Sequence, residues 1–399
     1  MAEPQTHALI AGAGIGGLTA ALALAQAGLR VSVIERAPVF EEIGAGLQIP
    51  PNAARVLARL GVLERLGDAA FQPLRVSLRS YKTGRELAEV PLAGAEARWG
   101  APYLAAHRAD LQRALLERAA RHPAISVITG ATVAGFAAGA DKVSLALRRG
   151  LLRQEMSGDL LIGADGLQST VRPRMGFGDK DAAVYSGRTA YRALIAAERL
   201  PEELRLPNTM LWLGPRAHIV NYPLRGGSLV NVVAIIEDRR APAEQRDDWT
   251  AAGEADALLR HFTRWSALAR ALLEAAQDWR VWPLYERAAA PRLAHGRVAL
   301  LGDAAHPMLP FLAQGAAQAV EDAGALGEAF GQGLEVTQAL ARYSEARRAR
   351  AARVTAEAKR MGRVYHLSGA AAMARDLVLR LSSPQRLQAR YDWLYGHKI

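Results

Sequence analysis

Residues 7–35 read HALIAGAGIGGLTAALALAQAGLRVSVIE, and this stretch decides the fold. The short apolar run at 7–11 is typical of a strand, and the Ala- and Leu-rich run at 15–27 predicts a helix that Gly28 ends. A second apolar run, 31–35, predicts another strand. A strand, a glycine turn, a helix and a strand in this order predict an α/β fold.

The glycine turn carries a dinucleotide-binding pattern. Gly12, Gly14 and Gly17 follow the spacing G-x-G-x-x-G between the strand and the helix. The first glycine permits the tight turn, the second lets the backbone approach a pyrophosphate, and the third lets helix and strand pack closely. Glu35 ends the second strand, where a carboxylate accepts hydrogen bonds from a ribose diol. This motif alone does not distinguish FAD from NAD.

Composition excludes several classes of protein. The chain has 399 residues, of which 50% are hydrophobic and 22% charged, so it is globular and suggests two to three domains. It contains no cysteine, which excludes disulfides, thiolate metal sites and a cysteine nucleophile, and fits a reducing cytoplasm. Because no stretch of about 18 uninterrupted apolar residues occurs, we expect no membrane span.

The positive charge does not indicate nucleic-acid binding. The formal net charge is +11, and the densest basic run, 342–363, lies on an Ala-rich predicted helix with few aromatic residues. A nucleic-acid site needs a basic patch with stacking aromatics, so we interpret this run as a solvated helix face. A basic surface suits small anionic substrates and a pyridine nucleotide.

Two later motifs end predicted strands in aspartate. Residues 160–166 read LLIGADG and residues 298–307 read VALLGDAAHP, which places Asp165 and Asp303 at strand ends. In open α/β sheets these ends face the ligand crevice, and a carboxylate there suits ribityl hydroxyls.

With the glycine pattern, these motifs resemble the three signatures of the single-component (class A) FAD-dependent aromatic hydroxylases, the para-hydroxybenzoate and salicylate hydroxylase family. The resemblance runs from His7 to about Tyr343. It is nearest to the branch of the salicylate, 3-hydroxybenzoate 6- and 6-hydroxynicotinate 3-monooxygenases. It implies that NADH or NADPH reduces FAD and that a flavin C4a-hydroperoxide then delivers one oxygen of O2 to a phenolic ring.

The resemblance also assigns residues to the cofactor, which we expect to be noncovalent. By the match of motifs, the FAD contacts come from Gly12, Gly14, Ile15, Gly17, Glu35, Arg36, Gln48, Arg108, Val133, Asp165, Asp303, Gly315 and Ala316. Amides at the start of the helix near Gly315 would stabilise negative charge on reduced flavin. For Asp165, a purely structural role in fixing its turn stays open.

Substrate chemistry is predicted for His218 and Tyr222. Four residues apart, they lie on one face of a predicted strand, since side chains alternate with period two. Imidazole takes a phenolic proton near neutral pH, and the pair resembles the His-x-x-x-Tyr of the branch above. The alternative is a structural histidine beside a core tyrosine. For a substrate carboxylate, Arg188, Arg192 and Arg216 are equal candidates.

The predicted architecture is an FAD-binding three-layer (ββα) Rossmann-like domain of residues 1–74, 102–180 and 284–340. It is interleaved with a β-sheet substrate domain of residues 75–101 and 181–283, and a helical segment follows at 341–399. We expect a cytoplasmic monomer or homodimer that takes a small aromatic substrate and O2 and holds no metal. The alternatives are an epoxidase, halogenase or dehydrogenase of the same fold, or a flavin-bound sensor.

Overall fold

The described residues form four sheets, of six, three, seven and two strands, together with a set of helices. The computed structural model describes residues 5–40, 46–177, 181–238 and 253–399. The strands, in chain order, are β1 His7–Ala11, β2 Arg30–Ile34, β3 Gly46–Ile49, β4 Arg75–Ser80, β5 Glu86–Pro91, β6 Leu104–His107, β7 Ile125–Ile128, β8 Thr132–Ala138, β9 Val143–Arg149, β10 Leu152–Gly158, β11 Leu160–Gly163, β12 Val184–Ala196, β13 Thr209–Gly214, β14 Ala217–Leu224, β15 Leu229–Glu237, β16 Arg280–Glu286, β17 Ala294–His295 and β18 Val298–Leu300.

The helices cover the sheets and make up most of the C-terminal fifth of the chain. In chain order they are α1 Ile15–Gln26, α2 Pro51–Arg59, α3 Leu63–Leu66, α4 Ala95–Trp99, α5 Arg108–Ala120, α6 Ala255–Arg260, α7 Ala267–Glu274, α8 Gly315–Phe330, α9 Val336–Tyr365, α10 Gly369–Leu381, α11 Pro384–Ala389 and α12 Asp392–Tyr395. None of the helices in the described part of the chain has the length and apolar content that crossing a membrane requires.

The first part of the molecule is built on a six-stranded sheet with the strand order β17-β18-β11-β1-β2-β7. The strands from β18 to β7 run parallel, and β1 and β2 are buried because helices and a second sheet cover both faces. Helices α1 and α8 pack against each other in this core, which also takes in Val143, Leu145 and Leu147 of the three-stranded sheet β10-β9-β8. These layers confirm the predicted α/β fold class.

A seven-stranded sheet forms the second part, in the order β16-β12-β15-β14-β13-β4-β5. Its strands come from 75–91 and 184–286, so the chain leaves the first sheet twice to build it. The division into domains at the predicted boundaries stays a prediction, and residues 178–180 of the first predicted domain lie outside the described residues.

One predicted helix is divided in two. The sequence between 255 and 277 predicts a continuous helix, whereas α6 ends at Arg260 and α7 begins at Ala267. The break follows from Ser266, whose hydroxyl accepts a hydrogen bond from the Ala269 amide and so caps a new helix.

Candidate functional site

A cavity of about 520 Å³ lies where the carboxyl ends of β1, β11 and β18 meet one face of the seven-stranded sheet. It brings together all the predicted site residues except Gly17, which packs beneath it. The residues concerned are Gly12, Gly14, Ile15, Glu35, Arg36, Gln48, Arg108, Val133, Asp165, His218, Tyr222, Asp303, Gly315 and Ala316. The cavity therefore has a wall built by the first sheet and its turns, and a wall built by β12, β14, β15 and β16.

The glycine turn after β1 leaves no room for side chains at two of its three positions. A Cβ on Gly12 would lie 2.6 Å from the carbonyl oxygen of Ala164, and Gly12 also has a φ of +102°. A Cβ on Gly17 would lie 1.9 Å from the carbonyl oxygen of Gly12. At Gly14, by contrast, a Cβ would meet no described atom within 4 Å, because this residue faces the cavity. The space at Gly14 lies where the sequence predicts the approach of a pyrophosphate.

Glu35 fixes this turn as well as facing the cavity. One carboxylate oxygen accepts a hydrogen bond from the Ala13 amide at 2.8 Å, and the other accepts one from the Ala37 amide at 2.9 Å. The carboxylate thus ties the end of β2 to the glycine turn. Each oxygen keeps a second lone pair for a ribose hydroxyl.

The two carboxylate oxygens of Asp165 have different surroundings. Oδ2 accepts hydrogen bonds from the Thr170 amide at 2.7 Å and from the Thr170 hydroxyl at 3.0 Å, which fixes the turn. Oδ1 is buried and has no hydrogen-bond partner among the described residues. Since buried polar atoms are nearly always satisfied, this oxygen indicates a ligand atom beside it.

The start of α8 closes the far end of the same wall. Gly315 and Ala316 are its first two residues, and both line the cavity, so their amide groups have no acceptor within the helix. Asp303 is exposed on a 3-10 turn, Gly302–Ala304, directly after β18. An acidic strand end at β2, an open glycine and the start of α8 thus line one cavity, and their hydrogen-bonding groups suit the ribose and the pyrophosphate of the predicted FAD.

Beneath α8 lies a buried charged cluster that the sequence did not predict. Arg347 is 1% exposed and donates to Asp322 at 2.7 Å and to Glu321 at 2.5 Å. Asp322 also accepts from the Gly302 amide at 2.9 Å and contacts His306 at 2.7 Å. Burial alone raises the pKa of the Asp322 carboxyl, but His306 and Arg347 outweigh it and hold that pKa well below its usual range.

Most of the basic run at 342–363 is the solvated face that the sequence predicts, since six of its eight basic residues are exposed. The prediction is wrong for the other two, Arg347 and Arg350. Arg347 and Arg350 point from α9 into α8, where Arg350 donates twice to Glu321 at 2.6 Å. A spacing of three residues placed both on the inward face, and the consecutive acids Glu321 and Asp322 in an apolar helix were the signal for their partners. The cluster fixes the start of α8 relative to β18.

The opposite wall is one face of the seven-stranded sheet. His218, Val220 and Tyr222 alternate on β14 and all line the cavity. Val220 pairs across with Val233 on β15, and Val233 pairs with Arg192 on β12, so these side chains share the face. The result is an apolar floor with a polar side chain at each of three corners. The Cα atoms of His218 and Tyr222 lie about 13 Å apart along β14, and the Cα atom of Arg192 lies two strands, about 10 Å, to the side.

His218 is buried and firmly held. Its Nδ1 lies 2.8 Å from Nε2 of His366, the residue that follows α9, and its ring packs on Phe311 and Tyr365. Burial, together with His366 and Arg188, holds the pKa of His218 well below its usual value, so the imidazole is neutral at pH 7. A neutral imidazole offers a lone pair to a proton, while the lowered pKa makes His218 a weaker base that gives the proton up again readily.

The structure also separates the three candidate arginines. Arg192 lines the cavity, and burial lowers the pKa of its guanidinium to about 10, which leaves it charged at neutral pH. Arg188 lies 3.6 Å from Glu237, and Arg216 lies 3.4 Å from the same carboxylate with 62% of its side chain exposed. Burial also shifts the pKa of Tyr222, in this case upward. The Tyr222 hydroxyl therefore stays protonated and can donate a hydrogen bond beside Arg192.

Comparisons with known proteins support FAD as the cofactor. The family model described as "FAD binding domain" matches residues 5–358. The 3-hydroxybenzoate 6-hydroxylase 1 of Aquipseudomonas alcaligenes is 38% identical over 394 residues, which cover 98% of each chain. The salicylate hydroxylase of Pseudomonas putida is 32% identical over 98% of this chain and 92% of its own. The crystal structure of Klebsiella pneumoniae HpxO with FAD and uric acid superimposes with a TM-score of 0.86 at 28% identity, covering 98% of this chain and 96% of that one.

Proposed function

This chain belongs to the FAD binding domain family and is an FAD-dependent monooxygenase, and from that premise we propose that it hydroxylates the ring of a hydroxybenzoate. The substrate would be a small phenol that also carries a carboxylate. The observation that carries the proposal is the sheet wall of the cavity, where a neutral histidine, a protonated tyrosine and a charged arginine surround an apolar floor.

Each corner of this wall suits one group of such a substrate. His218 would accept the phenolic proton, because electron density from the resulting phenolate activates the ring toward oxygen transfer. Arg192 would bind the carboxylate, because a guanidinium forms strong charge-assisted hydrogen bonds to a carboxylate. Tyr222 would donate a hydrogen bond that orients the ring, and Val220 and Val233 would contact its faces.

The cofactor would lie along the other wall, between Glu35 and the start of α8. When bound, FAD supplies the redox chemistry, taking electrons from NADH or NADPH and activating O2. The protein holds the cofactor through backbone amides of the glycine turn and of Gly315 and Ala316, with Asp303 on the ribityl chain. Apolar strands of the sheet wall exclude water from the space between cofactor and substrate.

The first test is a substrate panel on the FAD-loaded enzyme. We expect 3-hydroxybenzoate or a related hydroxybenzoate to accelerate NADH or NADPH oxidation and to yield a product heavier by one oxygen, labelled when 18O2 is supplied. Uric acid and salicylate belong in the panel, since relatives or neighbours are named for them. Faster nucleotide oxidation without a hydroxylated product from any phenol would contradict the proposal and favour the epoxidase, halogenase or dehydrogenase alternatives.

Arg192 provides a sharper test of the carboxylate assignment. Arg192→Met should weaken binding of 3-hydroxybenzoate by about 10- to 100-fold, because a hydrogen-bonded charge pair is worth about 1.5–3 kcal/mol. The matched control is 3-hydroxybenzyl alcohol, whose affinity should change little since it has no carboxylate. Dissociation constants follow from flavin absorbance titrations. An equal loss for both ligands would show that Arg192 shapes the cavity without binding the carboxylate.

The compartment and the assembly state belong to the same proposal. We propose a cytoplasmic enzyme, since a chain without cysteine loses nothing in a reducing compartment. We also propose that the domains divide at the predicted boundaries and that the enzyme is a monomer or a homodimer. Light scattering of the FAD-loaded protein measures the assembly state, and a mass above that of two chains would contradict it.

A further inference from the structure

The histidine proposed as the base is the inner end of a hydrogen-bonded chain that reaches the surface. His218 Nδ1 lies 2.8 Å from His366 Nε2, and His366 Nδ1 lies 3.2 Å from Glu237 Oε1. His218 lines the cavity, His366 is buried, and 29% of the Glu237 side chain is exposed. Three titratable groups from β14, the end of α9 and β15 thus connect the cavity with solvent.

The outer carboxylate fixes the direction of every hydrogen bond in this chain. An ionised carboxylate only accepts, so His366 must donate from Nδ1, which in a neutral ring leaves Nε2 as an acceptor. His218 must then donate from Nδ1, and its remaining nitrogen, Nε2, carries the lone pair. This is the tautomer that a base needs if its second nitrogen faces the substrate.

The surroundings of His366 keep the chain ordered. The Arg216 amide donates to the His366 carbonyl at 3.1 Å, and Arg375 on α10 donates to the preceding carbonyls at the end of α9. The charged groups that face His366 are Glu237, Arg188 and Arg375, with His218 on the cavity side. Burial lowers the pKa of His366 to about 4, more than Glu237 raises it, so at neutral pH each imidazole is neutral and carries a single N–H proton.

We propose that His218, His366 and Glu237 form a proton relay that carries the phenolic proton of the substrate from the cavity to solvent. The substrate O–H bond breaks and the proton binds His218 Nε2. The Nδ1 proton of His218 passes to His366 Nε2, the Nδ1 proton of His366 passes to Glu237 Oε1, and the carboxyl group releases it to water. The reverse transfer returns a proton to the product and restores both tautomers.

The inference rests on the proposed function, since it assumes a phenol beside His218, and it gives His366 and Glu237 a role as positioning residues that act through His218. A relay changes the rate at which a proton leaves, whereas an altered binding site changes the equilibrium between phenol and phenolate. The two roles are therefore separable by measuring rate and final amount in one experiment.

The experiment uses the oxidised, FAD-loaded enzyme without NADH or NADPH, mixed with 3-hydroxybenzoate in a stopped-flow instrument. Ultraviolet absorbance follows phenolate formation, and a pH indicator in weakly buffered solution follows proton release. In the wild type we expect both signals to rise together. In Glu237→Gln both should slow by about 10²-fold at neutral pH, while the final amount of phenolate changes far less.

Glu286→Gln is the matched control. Glu286 is the same residue type with the same 29% side-chain exposure, and it pairs with Lys359 instead of a histidine. We expect its traces to match the wild type. In the second variant, His366→Ala, proton release should slow in the same way and recover when imidazole is added, a rescue that a purely structural role would not give.

Wild-type rates of proton release in both Glu237→Gln and His366→Ala would overturn the relay while the proposed function stood. A wild type that forms no phenolate with 3-hydroxybenzoate would also overturn it. The proposed function fails separately, by the absence of a hydroxylated product across the panel, because the relay measurement needs no turnover.

Discussion

The two walls of the cavity are built from different parts of the polypeptide. The wall assigned to the cofactor is largely backbone, formed by a glycine turn and the first amides of a helix. Its side-chain contribution is three carboxylates at strand ends, those of Glu35, Asp165 and Asp303. The wall assigned to the substrate consists of side chains on a sheet, with His218, Tyr222 and Arg192 on three corners. Backbone sites need glycine and fixed spacing, whereas a sheet face accepts many side chains.

This difference teaches where specificity resides. The cofactor wall offers mainly backbone groups, which every residue possesses. Because their positions depend on the course of the backbone, this wall tolerates little change in shape. The sheet wall sets the chemistry through a few side chains, and changing one of them should leave the cofactor in position. Substitutions on the two walls should therefore separate loss of chemistry from loss of cofactor.

Among these substitutions, we expect His218→Ala to show the largest difference between its effect on the hydroxylation rate and its effect on FAD binding. Loss of a general base should slow hydroxylation by about 10²–10⁴-fold, while FAD content stays at the wild-type level. The loss should shrink toward alkaline pH, because a phenol with a pKa near 10 then supplies its own phenolate. Single-turnover oxidation of reduced enzyme with and without substrate measures the step. An unchanged rate and product yield would make His218 a packing residue.

On the cofactor wall, Asp303→Ala should weaken FAD binding more than it slows hydroxylation. Loss of hydrogen bonds to a charged acceptor should weaken FAD binding by about 1.5–3 kcal/mol, while turnover under saturating FAD is affected less than by His218→Ala. Fluorescence titration of the FAD-free protein gives the affinity. Undiminished FAD affinity would show that Asp303 does not hold the ribityl chain.

The smallest expected effect is a difference in stability between alanine substitutions at Gly14 and Gly17. Gly17→Ala places a Cβ 1.9 Å from the Gly12 carbonyl oxygen and should destabilise the FAD-free protein by about 1–3 kcal/mol. Gly14→Ala meets no described atom within 4 Å and should leave that stability unchanged while weakening FAD binding. Thermal unfolding with and without FAD tests the pair. Equal loss of FAD-free stability would contradict the pyrophosphate position.

The sequence predicted the fold class and most of the first wall because steric requirements are visible in residue types. Gly12 needs a positive φ, Gly17 lies against a carbonyl, and Asp165 and Asp303 follow apolar strands. The roles assigned to individual cofactor residues stay predictions, although the described cavity gathers nearly all of them.

Less of the second wall could be predicted, since it depends on contacts between distant residues. His366 meets His218 across 148 residues. Arg188 and Arg192 lie on the same face of β12, and the pairing of Arg188 with Glu237 on β15 is visible only in the folded chain. Arg347 was misassigned for a similar reason, because a basic run gives no sign of acids buried on a neighbouring helix.

The order of the strands in the central sheet has a consequence for biosynthesis. β1 pairs with β11, and β11 pairs with β18, whose last residue is Leu300. At about 5–20 residues per second, roughly 15–60 s of translation separate the glycine turn from the strand end that carries Asp303. Until β18 has been made, the nascent chain exposes an unpaired edge of an apolar strand, which favours association with other chains, and the predicted cofactor site can form only after Asp303 has been made.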